Sequence, residues 1–546
     1  MAGQMPRPRL LLACGCVLAL VAPLAAIDPQ SAQPPVLQVD AVFAKWSGTT
    51  PGCAVGVAQN GRIVLERAYG LADLERDVRN RPDTVFEAGS VAKQFTAAAI
   101  LLLARDGRLS LDDPARKYVP ELPDYGTPIT IRHLLTHTSG LRDWGEIAGI
   151  AGWPRERRVH TQAQVLDIVQ RQRALNFTPG THYSYSNTGY NLAAIIVARV
   201  SGQTFAEFTG KRIFEPLGMT HTSWRDDHTR VVKGRALAYR EARDGFHTAM
   251  PFENVYGQGG LLTTVGDLLR WNENFERPKV GDAEFVREAQ QPGVLNDGRN
   301  HGYALGLSVG TYMGVSQVAH GGSTAGYTAH LARYPQQRLS VAVLCNLAGS
   351  VAEQSARAVA DIFLGSAVSA EPLRAVAVSA ADLDGRVGLW RNTADGTIVS
   401  LVRDQAGLKV ENGQNLVPVS PVRFVPARGG PAFEFDGVGS LTVGPGDGAA
   451  ERYERVVVVT PTIDQLRELS GIYVSQDAEV ALGVVVYEGE LLLERRPDTV
   501  MRLRPLYADA FDSPIGLVRF HRSEGGRVSE LSLTQSRVWD LRFQRQ

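Results

Sequence analysis

The stretch Ser90-Val91-Ala92-Lys93, followed by the apolar residues 95–103, decides how this chain is interpreted. The apolar run has almost no polar face and stops at Asp106-Gly107, so it predicts a buried helix that opens at Ser90. Three residues of separation place Ser90 and Lys93 on one helix face. Burial lowers the pKa of a lysine, as a lysine that acts as a base requires. A helix cap followed by a surface lysine is the plainer alternative on this stretch alone.

A second polar segment, Tyr185-Ser186-Asn187, lies about ninety residues further along the chain. A tyrosine two residues before an asparagine places both side chains on one side of a short extended segment or turn. The tyrosine hydroxyl is suited to relay a proton, and the asparagine amide is suited to hold a lysine or a carbonyl group. An ordinary polar loop remains the alternative, because Thr178-Pro179-Gly180 just before it is rich in turn residues.

A third segment, His320-Gly321-Gly322-Ser323, ends a strand-like run. Glycines at a sheet edge let another backbone approach closely, and an edge strand binds peptides by backbone hydrogen bonds. The backbone N–H of Ser323, with that of Ser90, is suited to form an oxyanion hole. The alternative is a glycine-rich hairpin that carries an exposed histidine.

The order of helices and strands in residues 37–365 indicates an α+β domain. Strand-like runs stand at both ends, a hairpin signal (Asn60-Gly61) joins the first two, and helical patterns lie between. These features predict an antiparallel sheet, flanked by helices, that is completed by segments far apart in sequence. The strand-like runs are residues 54–58, 63–68, 315–320, 327–334 and 339–346, and a helical pattern at 351–364 closes the domain.

The chain after about Leu383 is almost entirely β-like and contains an internal repeat of roughly 80 residues. Similar short sequences recur in the same order in its two halves, residues 383–460 and 463–546. The matched pairs are Gly388-Leu389-Trp390 with Gly471-Ile472-Tyr473, Gly407-Leu408 with Gly489-Glu490-Leu491, and Leu416-Val417-Pro418 with Leu503-Arg504-Pro505. Each unit is long enough to form a small antiparallel β-barrel.

The composition is that of an ordinary globular protein of 546 residues. Lysine plus arginine and aspartate plus glutamate each number 57, so the formal net charge is zero. This balance excludes the basic surface of a nucleic-acid-binding protein. The length suggests about two to four domains.

Residues 1–26 have the pattern of a signal peptide for export. Arg7 and Arg9 precede an apolar run over residues 10–26, and Ala25-Ala26 offers a small-residue cleavage site. A retained anchor is the alternative. No later stretch has the length and apolar character of a membrane span, so none is expected once the signal is removed.

The cysteines do not form a disulfide framework. Cys14 and Cys16 lie in the signal-like segment, which leaves Cys53 and Cys345. Both lie in apolar, strand-like runs, so two free buried thiols are expected.

The three polar segments in this order resemble the motifs of the serine β-lactamase and penicillin-binding-protein superfamily. Further stretches carry the same resemblance: residues 131–141 (I-R-H-L-L-T-H-T-S-G-L), residues 214–219 (F-E-P-L-G-M), and Gly259-Gly260-Leu261 followed by Asp267. The resemblance covers about residues 40–365. It implies the β-lactamase/transpeptidase-like fold for this domain, and two lipocalin-like barrels after it resemble the D-aminopeptidase arrangement.

The resemblance implies a bacterial serine hydrolase, periplasmic or secreted, that cleaves an amide or ester through an acyl-enzyme. Ser90 is expected to be the nucleophile, Lys93 the base, and Tyr185 the group that delivers a proton to the leaving group. The expected substrate-binding and orienting residues are Asn187, His320, Gly322 and Ser323. No metal or organic cofactor is implied, and the expected partner is a small peptide or ester substrate.

The histidine at position 320 bears on the substrate, because β-lactamases usually carry lysine there. The histidine form is similar to that of D-aminopeptidases, some D-Ala-D-Ala carboxypeptidases and β-lactamase-fold esterases. A peptidase acting on D-amino-acid peptides is therefore expected, with a carboxylester hydrolase and a β-lactamase as alternatives. A non-catalytic protein that binds the cell envelope is the alternative outside enzymes, and intact Ser90, Lys93 and Tyr185 argue against it.

The family resemblance also bears on the two cysteines and on the barrels. The family fold pairs its first sheet strand with its last, which makes a Cys53–Cys345 disulfide the alternative to free thiols. By resemblance to D-aminopeptidases, a loop from one barrel reaches the active-site mouth, although the barrels could simply stabilise the domain or bind the envelope. His133 and His137 lack the H-E-x-x-H pattern of zinc enzymes, so we expect them to be structural or surface residues.

Overall fold

The computed structural model describes residues 1, 3, 35–155, 158–349, 351–368, 373–404, 407–427, 430–437, 439–444 and 450–546. The signal-like segment 1–26 lies outside these residues, apart from residues 1 and 3. Among the described residues, no helix combines the length and apolar character that crossing a membrane requires.

The first domain alternates helices and strands, as the sequence pattern predicts. Its helices are α1 (Val36–Val42), α2 (Lys93–Arg105), α3 (Ile131–Leu135), α4 (Trp144–Ile150), α5 (Gln162–Gln170), α6 (Asn187–Ser201), α7 (Phe205–Thr209), α8 (Glu215–Leu217), α9 (Val265–Glu273), α10 (Ala283–Ala289) and α11 (Val351–Leu364). Its strands are β1 (Cys53–Gln59), β2 (Arg62–Tyr69), β3 (Leu71–Asp73), β4 (Val78–Arg79), β5 (Phe86–Glu87), β6 (Ser223–Trp224), β7 (Tyr239–Ala242), β8 (Gly245–Thr248), β9 (Leu261–Thr263), β10 (Ser308–Tyr312), β11 (Val315–Thr324), β12 (Tyr327–Tyr334) and β13 (Leu339–Cys345).

The main sheet is antiparallel and has the strand order β10-β11-β12-β13-β1-β2. The hairpin between β1 and β2 turns at Asn60-Gly61, where both residues have positive φ (53° and 76°), as the tight turn requires. Strand β1 pairs with β13, so the sheet closes only when the two ends of the domain meet.

The sheet lies between two apolar layers, because successive side chains of a strand point to opposite faces. Ala54 and Ala58 of β1 join the larger core that surrounds α2. Cys53, Val55 and Val57 join the core formed with α1 and α11 on the opposite face.

Helix α2 is the centre of the larger core. Every residue from Lys93 to Leu103 is buried, in agreement with the all-round apolar pattern. Full burial of a large side chain such as Ile100, Leu101 or Leu103 stabilises the fold by about 1.5–3 kcal/mol. The α-helix begins at Lys93 instead of Ser90, because Gly89–Ala92 forms a 3-10 turn that carries Ser90.

Two closed eight-stranded antiparallel barrels follow the first domain. The first barrel is entered through α12 (Ala380–Asp384), and the second through α13 (Ile463–Glu468). The strands of the first are β14 (Gly388–Asn392), β15 (Ile398–Asp404), β16 (Gly407–Val410), β17 (Asn415–Pro418), β18 (Arg423–Pro426), β19 (Ala432–Phe435), β20 (Ser440–Gly444) and β21 (Glu451–Val456). The strands of the second are β22 (Gly471–Ser475), β23 (Val480–Tyr487), β24 (Glu490–Arg495), β25 (Thr499–Tyr507), β26 (Ala510–Ser513), β27 (Gly516–Arg522), β28 (Val528–Gln535) and β29 (Val538–Arg545).

The sequence repeat corresponds to equivalent strands of the two barrels. Its matched segments lie on or next to the first, third and fourth strands of each barrel. Trp390 and Tyr473 stand at equivalent positions of β14 and β22, and both rings are fully buried. Each ring donates a hydrogen bond to the carbonyl oxygen four residues earlier, from Trp390 to Arg386 and from Tyr473 to Leu469.

The second barrel is packed against the first domain. Arg142, whose side chain is 3% exposed, forms an ion pair with Asp477 at 3.2 Å. Its guanidinium also donates to the carbonyl oxygens of Trp539 and Asp540. The Trp539 ring lies 5.1 Å from that of Phe177. A buried guanidinium is costly unless it is paired and hydrogen-bonded, so these acceptors on the barrel help to fix its position.

Our expectation of two free thiols is wrong, because Cys53 and Cys345 form a disulfide. The two cysteines are directly opposite each other in the β1–β13 pairing. Apolar surroundings are common to free and bonded cysteines, so the local sequence does not separate the two states. The long-range strand register decides between them.

Removal of this disulfide should destabilise the protein. The bond joins residues 292 positions apart, and loss of a native disulfide typically costs about 2–5 kcal/mol of unfolding free energy. A variant with both Cys53→Ala and Cys345→Ala should therefore melt at a lower temperature in calorimetry. Peptide mapping of the unreduced, unfolded wild type should find no thiol at either position, and two labelled thiols there would contradict the assignment.

Candidate active site

Ser90 and Lys93 meet at the N-terminal end of α2. The Lys93 Nζ atom lies 3.1 Å from the Ser90 Oγ atom. Lys93 is fully buried, whereas Ser90 in the preceding 3-10 turn is half-buried and lines a cavity. The lysine is therefore behind the serine, and the serine hydroxyl remains accessible from the cavity.

The Lys93 amine has three hydrogen-bond partners. Besides Ser90, it donates to Asn187 Oδ1 at 2.9 Å and to the Gln258 carbonyl oxygen at 2.8 Å. Burial lowers the pKa of Lys93 well below its usual range, and the positive charge of Arg537 acts in the same direction. A neutral amine that keeps its bonds to Asn187 and Gln258 has a lone pair left for the Ser90 hydroxyl proton.

Helix α6 brings Tyr185 and Asn187 to the same place. Asp143, the N-cap of α4, accepts a hydrogen bond from the Asn187 backbone N–H at 2.7 Å. His137 Nδ1 accepts from the Ser186 backbone N–H at 3.2 Å, which fixes the residue between them. The Lys93 amine lies 4.8 Å from the centre of the Tyr185 ring. Burial raises the pKa of Tyr185 above its usual range, although the Ser90 side chain acts to lower it, so the phenol is protonated.

The glycines at positions 89 and 322 allow two backbones to come into contact beside Ser90. A Cβ atom on Gly322 would lie 2.0 Å from the Ala88 carbonyl oxygen and 3.1 Å from the Ser90 backbone nitrogen. A Cβ atom on Gly89, where φ is +50°, would lie 2.6 Å from the Ser323 backbone nitrogen. Side chains at these positions would force the segments apart. The close approach brings the backbone segments that carry the Ser90 and Ser323 nitrogens together at the cavity.

His320 is buried, which is contrary to the alternative of an exposed hairpin histidine. Its Nε2 atom lies 2.9 Å from the Tyr303 hydroxyl, and its Nδ1 atom lies 2.6 Å from the Gly321 carbonyl oxygen. Burial, together with the positive charge of Lys93, lowers the pKa of His320 to about 3. The ring is therefore neutral at physiological pH and brings no positive charge to the position where lysine occurs in β-lactamases.

The cavity in front of Ser90 has a volume of about 400 Å³. It extends along residues 320–324 of β11, which lie beyond the part of that strand paired with β10, towards the start of α11. The sequence-predicted residues that line it are Ser90, Tyr185, Asn187, His320, Gly322 and Ser323, with Lys93 directly behind Ser90.

Several residues that the sequence analysis did not identify belong to this site. Gln258 contributes through its backbone carbonyl, which no side-chain pattern reveals, although the recognised Gly259-Gly260 follows it directly. Arg155 lines the cavity and is paired with Glu253. Arg537 also lines the cavity but belongs to the second barrel, and the sequence carries no signal that places it there.

A hairpin of the second barrel reaches the cavity, as the resemblance to D-aminopeptidases implies. Its two-residue turn, Ser536-Arg537, joins β28 to β29. The Arg537 backbone N–H donates to Glu146 Oε2 at 3.0 Å, and its carbonyl oxygen accepts from the Asp143 N–H at 3.1 Å. These backbone bonds fix the turn on the first domain whatever side chain it carries.

The two histidines of residues 131–141 have structural positions. His133 Nδ1 accepts the Thr130 backbone N–H in a capping box at the start of α3. His137 is buried among aromatic rings, the nearest being Tyr185 at 4.2 Å between ring centres. Within the part of the chain that the structure describes, no group of three or more His, Cys, Asp or Glu side chains is placed to hold a metal ion.

The sequence of this chain is similar to a known protein family and to curated bacterial enzymes. The family model described as Beta-lactamase matches residues 26–365. The D-aminopeptidase of Brucella ovis is 28% identical over 352 residues, which are 64% of this chain and 65% of that protein. The alignment thus spans slightly less than two thirds of this relative's length.

Two solved structures share the fold. The octameric penicillin-binding protein homologue from Pyrococcus abyssi aligns with a TM-score of 0.55 and 24% identity, over 77% of this chain and 98% of that chain. The structure of SurE aligns with a TM-score of 0.52 and 21% identity, over 94% of this chain and 99% of that chain. The second alignment includes the barrel region.

The burial of Lys93 generates a prediction for a Lys93→Arg variant. Arginine stays protonated and cannot take a proton from Ser90, so kcat/KM for p-nitrophenyl acetate should fall by about 10²–10⁴-fold. The wild-type rate should rise with pH through the lowered pKa of Lys93, because only the neutral amine accepts a proton. Lys117→Arg, a change at an exposed lysine, is the matched control and should retain activity. Substantial turnover by Lys93→Arg would exclude Lys93 as the base.

Proposed function

The chain belongs to the beta-lactamase family, and we propose that it is a serine hydrolase that cleaves D-amino-acid peptides through an acyl-enzyme on Ser90. The observation that carries this proposal is the contact between the fully buried Lys93 amine, whose pKa burial lowers well below its usual range, and the accessible Ser90 hydroxyl. A serine becomes a nucleophile when an adjacent base takes its proton.

Acylation follows from the positions of these groups. The Lys93 amine takes the Ser90 proton as Oγ attacks the substrate carbonyl carbon. The Ser90 and Ser323 backbone N–H groups stabilise the oxyanion that forms, and the two glycines allow these groups to come together. The Tyr185 phenol, which lines the same cavity as Ser90 and lies beside Lys93, gives its proton to the leaving amine and regains one from Lys93.

Deacylation uses the same groups with water in place of the leaving amine. Lys93, neutral again, takes a proton from the water directly or through Tyr185 as the water attacks the acyl carbonyl. It returns this proton to Ser90 Oγ as the bond between Oγ and the acyl carbon breaks and the carboxylic acid leaves. Asn187 holds the amine in place through its 2.9 Å hydrogen bond. The proposed chemistry uses only side chains and backbone groups of this chain.

The substrate class is proposed from the relatives and from the site. The Brucella ovis relative is a D-aminopeptidase. Neutral His320 at the position of the β-lactamase lysine is similar to the form found in peptidases and esterases of this superfamily. The edge of β11 at residues 320–324 offers backbone groups that would hydrogen-bond an extended peptide.

We further propose that the protein works in an oxidising compartment outside the cytoplasm. The Cys53–Cys345 disulfide supports this, because such bonds persist mainly in exported proteins. The signal-like pattern in residues 1–26 gives independent support.

A panel of amides, esters and β-lactams tests the substrate class. D-alanyl p-nitroanilide should be cleaved at least about tenfold faster, as kcat/KM, than L-alanyl p-nitroanilide, because the chiral acyl group is held between β11 and Tyr185. Ser90→Ala should abolish cleavage while its thermal transition is unchanged. Cleavage of p-nitrophenyl esters without any cleavage of D-aminoacyl amides would instead indicate an esterase. Rapid turnover of a chromogenic cephalosporin would indicate a β-lactamase.

A further inference from the structure

The Arg537 guanidinium is placed at the reacting groups by a domain that has no other part in the active site. It lies 4.7 Å above the centre of the Tyr185 ring and lines the same cavity as Ser90. The side chain is 37% exposed, so it is partly desolvated yet open to the cavity. A cation in this position interacts directly with any charge on a bound substrate.

The guanidinium has no hydrogen-bond acceptor among the residues that the structure describes. The nearest carboxylate oxygens, of Asp143 and Glu146, lie 3.9 Å away, which is too long for a hydrogen bond. Both carboxylates already accept other bonds, Asp143 from the Asn187 N–H and Glu146 from the Arg537 N–H. Burial and the neighbouring Asp143 charge raise the pKa of Glu146.

The other charged residues that line the cavity, Arg155 and Glu353, each form an ion pair with a neighbouring side chain. Arg155 makes a two-point ion pair with Glu253. Glu353, at the start of α11, is paired with Arg357 at 2.7 Å. Among the described residues that line the cavity, Arg537 is therefore the cation whose guanidinium has carboxylates only at 3.9 Å and no hydrogen-bond acceptor.

We propose that Arg537 binds a carboxylate of the substrate and so makes the second barrel a determinant of specificity for acidic substrates. A planar guanidinium matches a carboxylate with two parallel hydrogen bonds. The same charge disfavours a substrate ammonium group in that position. The inference rests on the proposed function, because it concerns the substrate of the same Ser90 site.

The contact with Tyr185 indicates where the carboxylate lies. In the proposed mechanism Tyr185 gives its proton to the leaving group. We therefore place Arg537, which lies above the Tyr185 ring, on the leaving-group side of Ser90. A leaving amino acid with a free carboxyl group places its charge there. A carboxylate on the acyl side of the substrate would be bound by the same guanidinium. Two pairs of substrates distinguish a carboxylate on the leaving group from one on the acyl group.

Kinetics of Arg537→Gln on matched substrates test the proposal. D-alanyl-D-alanine and its C-terminal amide differ only in the carboxylate of the leaving group. N-succinyl-D-alanyl p-nitroanilide and its succinamoyl counterpart, in which the succinyl carboxylate is an amide, differ only in a carboxylate on the acyl side. Arg537→Gln should lower kcat/KM for D-alanyl-D-alanine by about tenfold or more beyond its effect on the amide, because the loss of the Arg537 charge near Lys93 affects both substrates alike. Arg537→Lys should restore part of the loss.

The controls distinguish a charge effect from a structural effect. Arg502→Gln removes an exposed arginine from the same barrel and should leave both rates unchanged. A loss confined to the succinyl substrate would support the carboxylate site and place it on the acyl side. An equal loss on charged and neutral substrates, or no loss on either, would overturn the proposal.

A second measurement does not depend on the peptide substrate. Boronic acids bind to active-site serines, so phenylboronic acid and 3-carboxyphenylboronic acid are compared as inhibitors of p-nitrophenyl acetate hydrolysis. The carboxylate should strengthen inhibition of the wild type but not of Arg537→Gln. The same carboxylate effect in both proteins would overturn the inference and leave the role of Ser90 intact. Failure of Ser90→Ala to abolish ester hydrolysis would instead overturn the proposed function.

Discussion

The complete burial of the Lys93 amine beside the Ser90 hydroxyl is the constraint on which the rest of this structure depends. A charged ammonium group is costly to bury without a counterion, so the amine loses its proton instead. This state requires that helix α2 be apolar on nearly every side and be enclosed by the sheet and by α6. Asn187 and the Gln258 carbonyl oxygen then satisfy the amine without supplying a negative charge.

Long-range contacts hold this arrangement together. Strand β13 pairs with β1 and is joined to it by the Cys53–Cys345 disulfide. This pairing links the strands from the two ends of the domain into the one sheet that carries β11. On the opposite side of the cavity, the second barrel contacts α4 through the Arg537 backbone and the buried Arg142. The cavity is therefore lined by segments of the first domain that are distant in sequence and by a hairpin turn of the second barrel, whose Arg537 lies over the Tyr185 ring.

The sequence predicts much of the fold and most of the candidate site, because their signals are local. The apolar run of α2, the hairpin at Asn60-Gly61 and the barrel repeat each appear within a short segment. Features set by distant contacts were missed or wrong. The apolar surroundings of the two cysteines predict free thiols, whereas the strand register that pairs them depends on the whole sheet. Arg537 has no local signal because its position depends on how the barrel packs against the first domain. Gln258 was missed because a backbone carbonyl has no side-chain signature.

The measurement that tests the central claim most directly is labelling with a fluorophosphonate, followed by peptide mapping. The accessible Ser90 hydroxyl, activated by neutral Lys93, should carry a single phosphonyl group, and hydrolysis should be lost in proportion to labelling. Ser90→Ala should not be labelled. Labelling of a different side chain with the same loss of activity, or undiminished hydrolysis after Ser90 is fully modified, would contradict this account of the site.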